Sequence, residues 1–290
     1  MNYIVYIIFR VFIILFSITP FPVIYGISSF FAFIIGKVFK YRYAVIYKNL
    51  SNAFPTFSEK EKKRIIHKIY LNITDLLVES IKSFTMTRKQ IYRHEKVLNP
   101  EILDELYKQG RGVIGNTGHY GNWEWAALTS SFYLKHKPVG FYKPLSNKYL
   151  DKYLRKNRSR FGMHLCPIHI TAKSFEDYKD KTAFFAMVGD QSPSRVSQSY
   201  WFQFLNQKTT CIHGPEMYAK KYNLPIMFLN IQRVKRGYYT VEIIKITDDP
   251  QSMSDGEITR IYMQKLEELI INKPENWLWS HRRWKIKPPE

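Results

Sequence analysis

The chain has 290 residues, which suits one large domain, or one domain with an appendage, and is long enough to bury a substantial core. Its 44 Lys and Arg against 24 Asp and Glu give a net charge of +20. This charge favours anionic partners, but the basic residues are dispersed and match no nucleic-acid-binding motif, so we expect no nucleic acid and instead a membrane face with an acidic substrate or carrier. Cys166 and Cys211 have neither metal-ligand spacing nor a disulfide framework, so we expect reduced thiols in a cytosol-facing protein and no bound metal.

The N-terminal segment is apolar. Residues 3–36 are overwhelmingly aliphatic and aromatic, interrupted by Arg10 and split by Pro20 and Pro22. Each half is close to the shortest length that spans a bilayer, so one tilted span, a re-entrant helical hairpin and a core hairpin of a soluble domain are all possible. No Lys or Arg precedes the apolar residues and no convincing small-residue cleavage site follows, which disfavours a signal peptide.

Basic residues follow this segment at positions 37, 40, 42 and 48. By the positive-inside rule, this flank and the domain after it belong in the cytoplasm. We therefore predict a membrane anchor over residues 1–40 and a folded domain over residues 41–290.

Two helices are predicted before residue 111. Ser58 and Glu61 form a capping box at the start of the first, and its apolar residues recur at helical spacing. Residues 86–107 predict a connector and then the second helix, which is amphipathic and ends at Gly110.

Residues 111–125, RGVIGNTGHYGNWEW, predict a buried strand, a glycine-rich turn and a helix that begins at about residue 122. His119 lies in the turn, and Glu124 lies in the first turn of the helix, where its carboxylate can fold back toward the imidazole. Such a pair can remove the proton of an alcohol near neutral pH. Gly118 and Gly121 leave backbone N–H groups beside a helix N-terminus, where an oxyanion would be stabilised. The alternative is that the His and the Glu merely cap a helix.

Strands and helices alternate in the rest of the chain. Strands are predicted at 138–142, 165–168, 182–188, 225–232 and 239–246, and helices at 150–160, 175–179, 214–222 and 257–271. Residues 200–205 form a broken apolar stretch for which neither a strand nor a helix is predicted. The strand that ends before Asp190 brings a carboxylate to the sheet edge where the His119 turn also emerges, and ligands gather at such edges. The alternation predicts an α/β fold.

The sequence HYGNWE from His119 to Glu124 resembles the His-x4-Asp/Glu signature of the glycerolipid acyltransferases, in the form found in the bacterial lipid A late (lauroyl and myristoyl) acyltransferases. Four further blocks occur in that family's order, YKNLSNAFP, FYKPLSNKYLDKYLRKNRSRFG, GDQSP and PENWLWSHRRWK, at residues 47–55, 141–162, 189–193 and 274–285. The resemblance covers nearly the whole chain. It implies a glycerolipid-acyltransferase-like α/β sandwich behind an N-terminal membrane-anchor helix or helical hairpin.

The resemblance also implies roles for individual residues. His119 would be the general base and Glu124 its orienting partner, with no acyl-enzyme intermediate. The implied substrate-binding residues are Asn122, Arg158, Arg160, Asp190 and Gln191, and the implied lipid- and phosphate-binding residues are Arg282 and Arg283. Asp190 could position substrate or support Arg158, and the C-terminal block could simply pack on the domain.

The implied reaction is transfer of a fatty acyl chain from an acyl carrier protein thioester, or a CoA thioester, to a hydroxyl of a phosphorylated glycolipid precursor of lipid A, with no cofactor. Two alternatives stay open. One is acyl transfer to another membrane lipid, such as a lysophospholipid, an aminolipid or a mannosylated lipid. The other is a non-catalytic basic module that binds membranes or nucleic acid.

Overall fold

A seven-stranded sheet forms the centre of the computed structural model, which describes residues 2–193 and 196–288. Its strands are β1 (Glu95–Val97), β2 (Val113–Thr117), β3 (Lys137–Tyr142), β4 (His164–Pro167), β5 (Ala183–Val188), β8 (Ile226–Lys235) and β9 (Tyr238–Thr247), while β6 (Ser199–Phe204) and β7 (Gln207–Ile212) form a separate antiparallel ribbon. The strand order is β1-β9-β8-β2-β5-β3-β4, and every neighbouring pair is parallel except β8 and β9.

Eleven α-helices surround the sheet in the described part of the chain. They are α1 (Asn2–Ile18), α2 (Phe21–Phe33), α3 (Tyr43–Ala53), α4 (Glu59–Ser83), α5 (Arg88–His94), α6 (Asp104–Lys108), α7 (Trp123–Tyr133), α8 (Lys148–Ser159), α9 (Thr171–Tyr178), α10 (Gly214–Tyr222) and α11 (Glu257–Asn272). The predicted capping box is confirmed, because the side chains of Ser58 and Glu61 each bond the backbone N–H of the other. The predicted α/β class is also confirmed.

The core lies on both faces of the sheet, since successive side chains of a strand point to opposite sides. Val113 packs with Met227 and Leu229 against α6 and α7. The next residue, Ile114, packs with Phe185 and with residues of α9 and α10. These two clusters hold β2 at the centre of the fold and fix where its carboxyl end emerges. The narrower expectation of a glycerolipid-acyltransferase-like sandwich stays a prediction.

The apolar N-terminus forms two helices that pack on the domain. α2 continues as a π-helix, Ile34–Val38, and the segment Phe21–Val38 is long and apolar enough to cross a membrane. α1 is the shorter apolar helix, and the buried ammonium group of Lys82 donates to the carbonyls of Phe16, Ser17 and Thr19 at its C-terminal end, at 2.7–2.9 Å. These carbonyls have no partner within a helix, so the lysine fastens α1 to α4.

The structure differs from the prediction in two regions. Residues 86–110 contain α5, the edge strand β1 and α6, where a connector and one amphipathic helix were predicted. The broken apolar stretch at 200–205 is β6, paired with β7 in the ribbon. β1 has three residues and includes the fully buried Glu95, so its sequence lacks the apolar alternation by which a strand is recognised.

Candidate active site

The register of two parallel strands brings His119 and Asp190 together. β2 pairs with β5 so that Thr117 lies opposite Val188. His119 and Asp190 each follow two positions later, so both emerge at the carboxyl edge of the sheet. The Nδ1 atom of His119 lies 2.6 Å from one Asp190 carboxylate oxygen, and the backbone N–H of His119 donates to the other at 2.8 Å.

Asp190 is buried and remains ionised because its carboxylate accepts several hydrogen bonds. Besides the two from His119, the indole Nε1–H of Trp277 donates to Oδ2 at 2.8 Å. Burial favours the neutral acid, but the charge and hydrogen bond of His119, together with the bond from Trp277, outweigh it and lower the pKa of Asp190 to about 2. The carboxylate is therefore a fixed negative charge beside the imidazole.

The imidazole of His119 is poised to accept a proton. Burial lowers its pKa, but the charge of Asp190, the hydrogen bond that the imidazole donates to that carboxylate and the charge of Glu124 raise it, and the net pKa lies above the usual 6.5. Since Nδ1–H is donated to Asp190, the ring nitrogen that can act as a base is Nε2. The side-chain nitrogen of Gln191 lies 3.2 Å from Nε2, within hydrogen-bond distance of that ring nitrogen.

Glu124 contacts a different partner from the predicted one. Its carboxylate accepts two bonds from the guanidinium of Arg158, from Nη2 at 2.5 Å and from Nε at 2.9 Å. The expected contact of Glu124 with a ring nitrogen of His119 is thus replaced by the Asp190 contact, and Asp190 does not support Arg158. The reason is geometric: α8 brings Arg158 against the first turn of α7, while the sheet register carries Asp190 to His119.

A cavity of about 810 Å³ lies beside this group, within the range of about 300–1,000 Å³ typical of ligand sites. Its lining includes His119, Glu124, Arg158 and Gln191, which lie close to one another. Most of the remaining wall is apolar and includes Leu134, Phe141, Met163, Phe184, Leu229 and Ile243. The site thus combines a base and a guanidinium with a pocket suited to a hydrocarbon chain.

Two of the predicted substrate-binding residues serve structural roles instead. Asn122 is 1% exposed, and its side-chain oxygen accepts the backbone N–H of Trp125, so it caps α7. Arg160 donates to the carbonyl of Met86 at 2.8 Å, and burial lowers its pKa to about 10. The lining of the cavity includes neither of them, so in this structure both support the fold around the site.

The two glycines proposed for the oxyanion differ in their surroundings. Gly121 has a φ of +64°, and its backbone N–H donates to the carbonyl of Asn276 at 3.1 Å. That N–H is therefore engaged elsewhere. A Cβ on Gly118 would come within 2.8 Å of Leu266 and 3.2 Å of Asp190, so close packing requires glycine there. A role for Gly118 at the oxyanion stays a prediction.

The C-terminal block packs around the turn that carries His119. The backbone N–H of Leu278 donates to the carbonyl of His119 at 3.2 Å, and the Ser192 hydroxyl donates to the Arg283 carbonyl at 2.6 Å. The Arg283 side chain is 1% exposed and lies 3.7 Å from the Cys211 sulfur, so it cannot reach lipid phosphates in this structure. Arg282 is exposed, and its binding of lipid phosphate stays a prediction. The contact of Trp277 with Asp190 was not foreseen from the sequence.

In residues 2–193 and 196–288, no three His, Cys, Asp or Glu side chains are grouped to hold a metal, and the absence of a metal stays a prediction. A histidine paired with a buried carboxylate at the strand ends, beside an apolar cavity, is typical of an enzyme that acts on an apolar substrate. The family model for bacterial lipid A biosynthesis acyltransferases matches residues 1–286. The chain therefore belongs to that family, as its motifs predict, and it is an O-acyltransferase.

Characterised relatives carry the same description. The chain is 24% identical over 277 residues to the lipid A biosynthesis lauroyltransferase of Escherichia coli, and 22% identical over 276 residues to the palmitoleoyltransferase of the same organism. It is 23% identical over 274 residues to a lipid A biosynthesis acyltransferase of Haemophilus influenzae. Each match covers 93% of this chain and 87% of the relative. Together with the family match over residues 1–286, the similarity includes the apolar N-terminal segment.

Proposed function

We propose that the protein transfers a fatty acyl chain from an acyl carrier protein thioester to a hydroxyl of a phosphorylated lipid A precursor. The observation that carries this proposal is the His119–Asp190 pair at the edge of the 810 Å³ apolar cavity. The base suits a hydroxyl acceptor, and the cavity suits a fatty acyl donor. The net charge of +20 suits both an acidic carrier and a phosphorylated acceptor.

The reaction begins when the acceptor hydroxyl displaces the Gln191 amide from Nε2 of His119. Nε2 takes the hydroxyl proton as the oxygen attacks the thioester carbon and a C–O bond forms. The tetrahedral oxyanion then collapses, the C–S bond breaks, and the departing sulfur takes the proton from the imidazolium. Asp190 stays ionised throughout and stabilises the imidazolium. No acyl-enzyme forms, because the acceptor oxygen attacks the thioester carbon directly. His119 carries the proton in both steps, and the carrier thioester is a substrate.

Arg158 is the proposed binding group for substrate oxygens. Glu124 holds its Nε and one Nη, which leaves the other Nη of the guanidinium to donate into the cavity that both residues line. A guanidinium fixed in this way suits the oxygens of a phosphate or of the reacting carbonyl. In this account Glu124 acts on the reaction through Arg158 and through its charge, which raises the pKa of His119.

We propose that α1 and α2 anchor the protein in the cell inner membrane, with the domain on the cytoplasmic face. The outer surface of α1 is apolar and exposed, at Tyr3, Ile4, Val5, Ile7, Ile8, Val11, Phe12, Ile14, Leu15 and Ile18. α1 also packs on α8, where the rings of Tyr3 and Tyr149 lie 5.2 Å apart. Because α8 carries Arg158 and lines the cavity, this contact would place the site next to the lipid phase in which the acceptor resides.

The donor and the acceptor are tested together. The full chain, purified in detergent, is incubated with acyl carrier protein thioesters and CoA thioesters of several chain lengths, each with a phosphorylated lipid A precursor or with a lysophospholipid. We expect mass spectrometry to show one added acyl chain on the lipid A precursor with the carrier protein thioester. Acylation of only the lysophospholipid would show that the acceptor is a lysophospholipid and not a lipid A precursor. Acylation of neither lipid would overturn the proposed function.

The membrane anchor is tested separately by flotation of the full chain with phospholipid vesicles. We expect the chain to float with vesicles in high salt, since burial of the α1 surface is apolar and is not screened. A chain that stays at the bottom of the gradient would show that these helices do not insert.

A further inference from the structure

A fully buried carboxylate lies outside the cavity and directly behind the catalytic turn. Glu79 of α4 has no exposed surface. One of its oxygens accepts a hydrogen bond from the Tyr25 hydroxyl at 2.9 Å, and the other accepts bonds from the Asn122 amide and the Tyr239 hydroxyl, both at 2.8 Å. Its carbonyl also accepts the indole N–H of Trp125 at 3.2 Å. Four elements, α2, α4, β9 and the start of α7, therefore meet at one side chain.

The Asn122 side chain joins this carboxylate to the site. Its amide nitrogen donates to Glu79, while its oxygen accepts the backbone N–H of Trp125 at 3.0 Å and caps α7. Asn122 follows His119 by three residues and precedes Glu124 by two. Both bonds are buried and satisfied, so the amide cannot rotate without leaving a polar group unpaired.

The Tyr25 hydroxyl joins the same carboxylate to the apolar N-terminal segment. Tyr25 lies on α2, within the stretch that is long and apolar enough to cross a membrane. Neighbouring contacts hold α2 in place: the Ser28 hydroxyl donates to Asp75 at 2.6 Å, and Arg236 donates both to Asp75 and to the carbonyl of Tyr25. A continuous chain of hydrogen bonds thus runs from α2 through Glu79 to the cap of α7.

We propose that Glu79 is a positioning residue that holds Asn122, and through it the first turn of α7, in the geometry that acyl transfer requires. The inference rests on the proposed function, because the geometry at stake is that of His119 and of the Glu124–Arg158 pair. It assigns Asn122 a role in holding the turn and not in contacting substrate. It also makes α2 part of the catalytic architecture in addition to its role as an anchor.

The physical basis is the cost of leaving buried donors without an acceptor. If residue 79 lacks an acceptor, the Asn122 amide and the Tyr239 hydroxyl must find other partners, and the cap must move to provide them. The first turn of α7 carries the carboxylate that holds Arg158. A displacement of about 1 Å at such a position can cost roughly a hundredfold in rate.

The test is a double-mutant cycle on Asn122→Ser and Glu79→Leu in the full-length protein. Serine is a good cap but cannot reach Glu79, so it removes only the bond between the two residues. We expect each single variant to lower kcat by on the order of ten- to a hundredfold with KM little changed. The double variant should be no slower than the slower single variant, since Glu79→Leu already removes the bond that Asn122→Ser breaks. Glu79→Gln keeps an acceptor and should retain most of the activity.

A direct substrate contact by Asn122 predicts a different result. Asn122→Ser would then raise KM, and its effect would multiply with that of Glu79→Leu. Either outcome overturns the proposal, as does an unchanged kcat in Asn122→Ser. The matched control is Asn230→Ser, since Asn230 also donates from its amide to a glutamate, Glu242, but in an exposed hydrogen bond between β8 and β9. This variant should match the wild type.

Hydrogen exchange supplies a readout that does not depend on the reaction. Amides of residues 123–126 should exchange faster in Asn122→Ser and in Glu79→Leu, and by a smaller factor in Tyr25→Phe, which removes only the bond from α2. If the wild type transfers no acyl chain to any acceptor, the proposed function fails while the exchange pattern still tests the connection. If transfer occurs but exchange in Asn122→Ser equals that of the wild type, the positioning role fails alone. Should Glu79→Leu not fold, Asn122→Ser alone decides the outcome.

Discussion

Asp190 accepts both the ring Nδ1–H and the backbone N–H of His119, at 2.6 and 2.8 Å. One carboxylate therefore fixes the orientation of the imidazole and the conformation of the turn that carries it. The two residues are 71 positions apart, whereas the carboxylate that the local motif supplies, Glu124, binds Arg158. The proposed mechanism requires that Asp190 serves His119 while Glu124 serves Arg158.

Replacing Asp190 by Asn tests which carboxylate serves the histidine. The change removes the charge that raises the pKa of His119, so that pKa should fall. Because a general base must be neutral, activity is lost as the pH decreases through this pKa, and the acid limb of kcat/KM should move to lower pH. The rate above that limb should drop by on the order of 10²- to 10⁴-fold.

Glu124→Gln is the comparison variant, because it also removes a negative charge near the imidazole but leaves the Asp190 contact intact. Its acid limb should shift less than that of Asp190→Asn, and its main effect should be on substrate binding through Arg158. A larger shift in Glu124→Gln would show that Glu124, and not Asp190, is the functional partner of the histidine.

Trp277→Phe removes one of the hydrogen bonds that keep Asp190 ionised. The pKa of Asp190 should rise above its value of about 2, and kcat should fall by about tenfold, which corresponds to the net worth of one hydrogen bond to a charged group. Trp279→Phe is the control, since the Trp279 indole donates to the carbonyl of Pro274 instead. Both variants should lose stability in thermal unfolding, but only the first should lose activity. Equal kcat values for the two variants would show that the hydrogen bond from Trp277 does not contribute to the reaction.

Ala126 lines the cavity from α7, and a larger side chain there should shorten the acyl chain that fits. Each methylene that cannot be buried costs about 0.8 kcal/mol, or roughly fourfold in kcat/KM. Ala126→Leu should therefore shift the preferred donor toward shorter chains, measured by competition among carrier protein thioesters of different length. An unchanged chain-length profile would place the acyl chain outside this cavity.

Lys82→Met tests how α1 is held against the domain. The change removes three charge-assisted hydrogen bonds to the end of α1, with an expected loss of about 1–3 kcal/mol in the free energy of local unfolding. Amides of residues 12–19 should exchange faster in detergent micelles. Lys68→Met, in which the lost partner is the surface residue Glu275, should leave exchange there unchanged. Equal protection in both variants would show that Lys82 does not hold the helix.

The sequence patterns located the site because the relevant signals are local. The apolar run before Gly118 and the glycines of the turn predict β2, the turn and α7, all of which the structure contains. The strand that ends before Asp190 likewise predicts a carboxylate at the same edge. These features follow from strand periodicity and turn chemistry within about ten residues.

The partners of the site residues could not be predicted, because they depend on contacts between distant segments. The choice between Glu124 and Asp190 is made by the pairing of β2 with β5 and by the approach of Arg158 on α8. The burial of Arg283 and the contact of Trp277 arise from the path of the C-terminal segment over the turn. The spacing of apolar residues along the chain carries no information on such contacts between distant segments.

The most direct test of the central claim is the single-turnover rate of acyl transfer by His119→Ala at saturating donor and acceptor. If Nε2 of His119 removes the acceptor proton, the variant should fold as the wild type does, bind both substrates and lose on the order of 10²- to 10⁴-fold in rate. A folded His119→Ala protein that transfers the acyl chain within about tenfold of the wild-type rate, less than general-base catalysis supplies, would contradict the account.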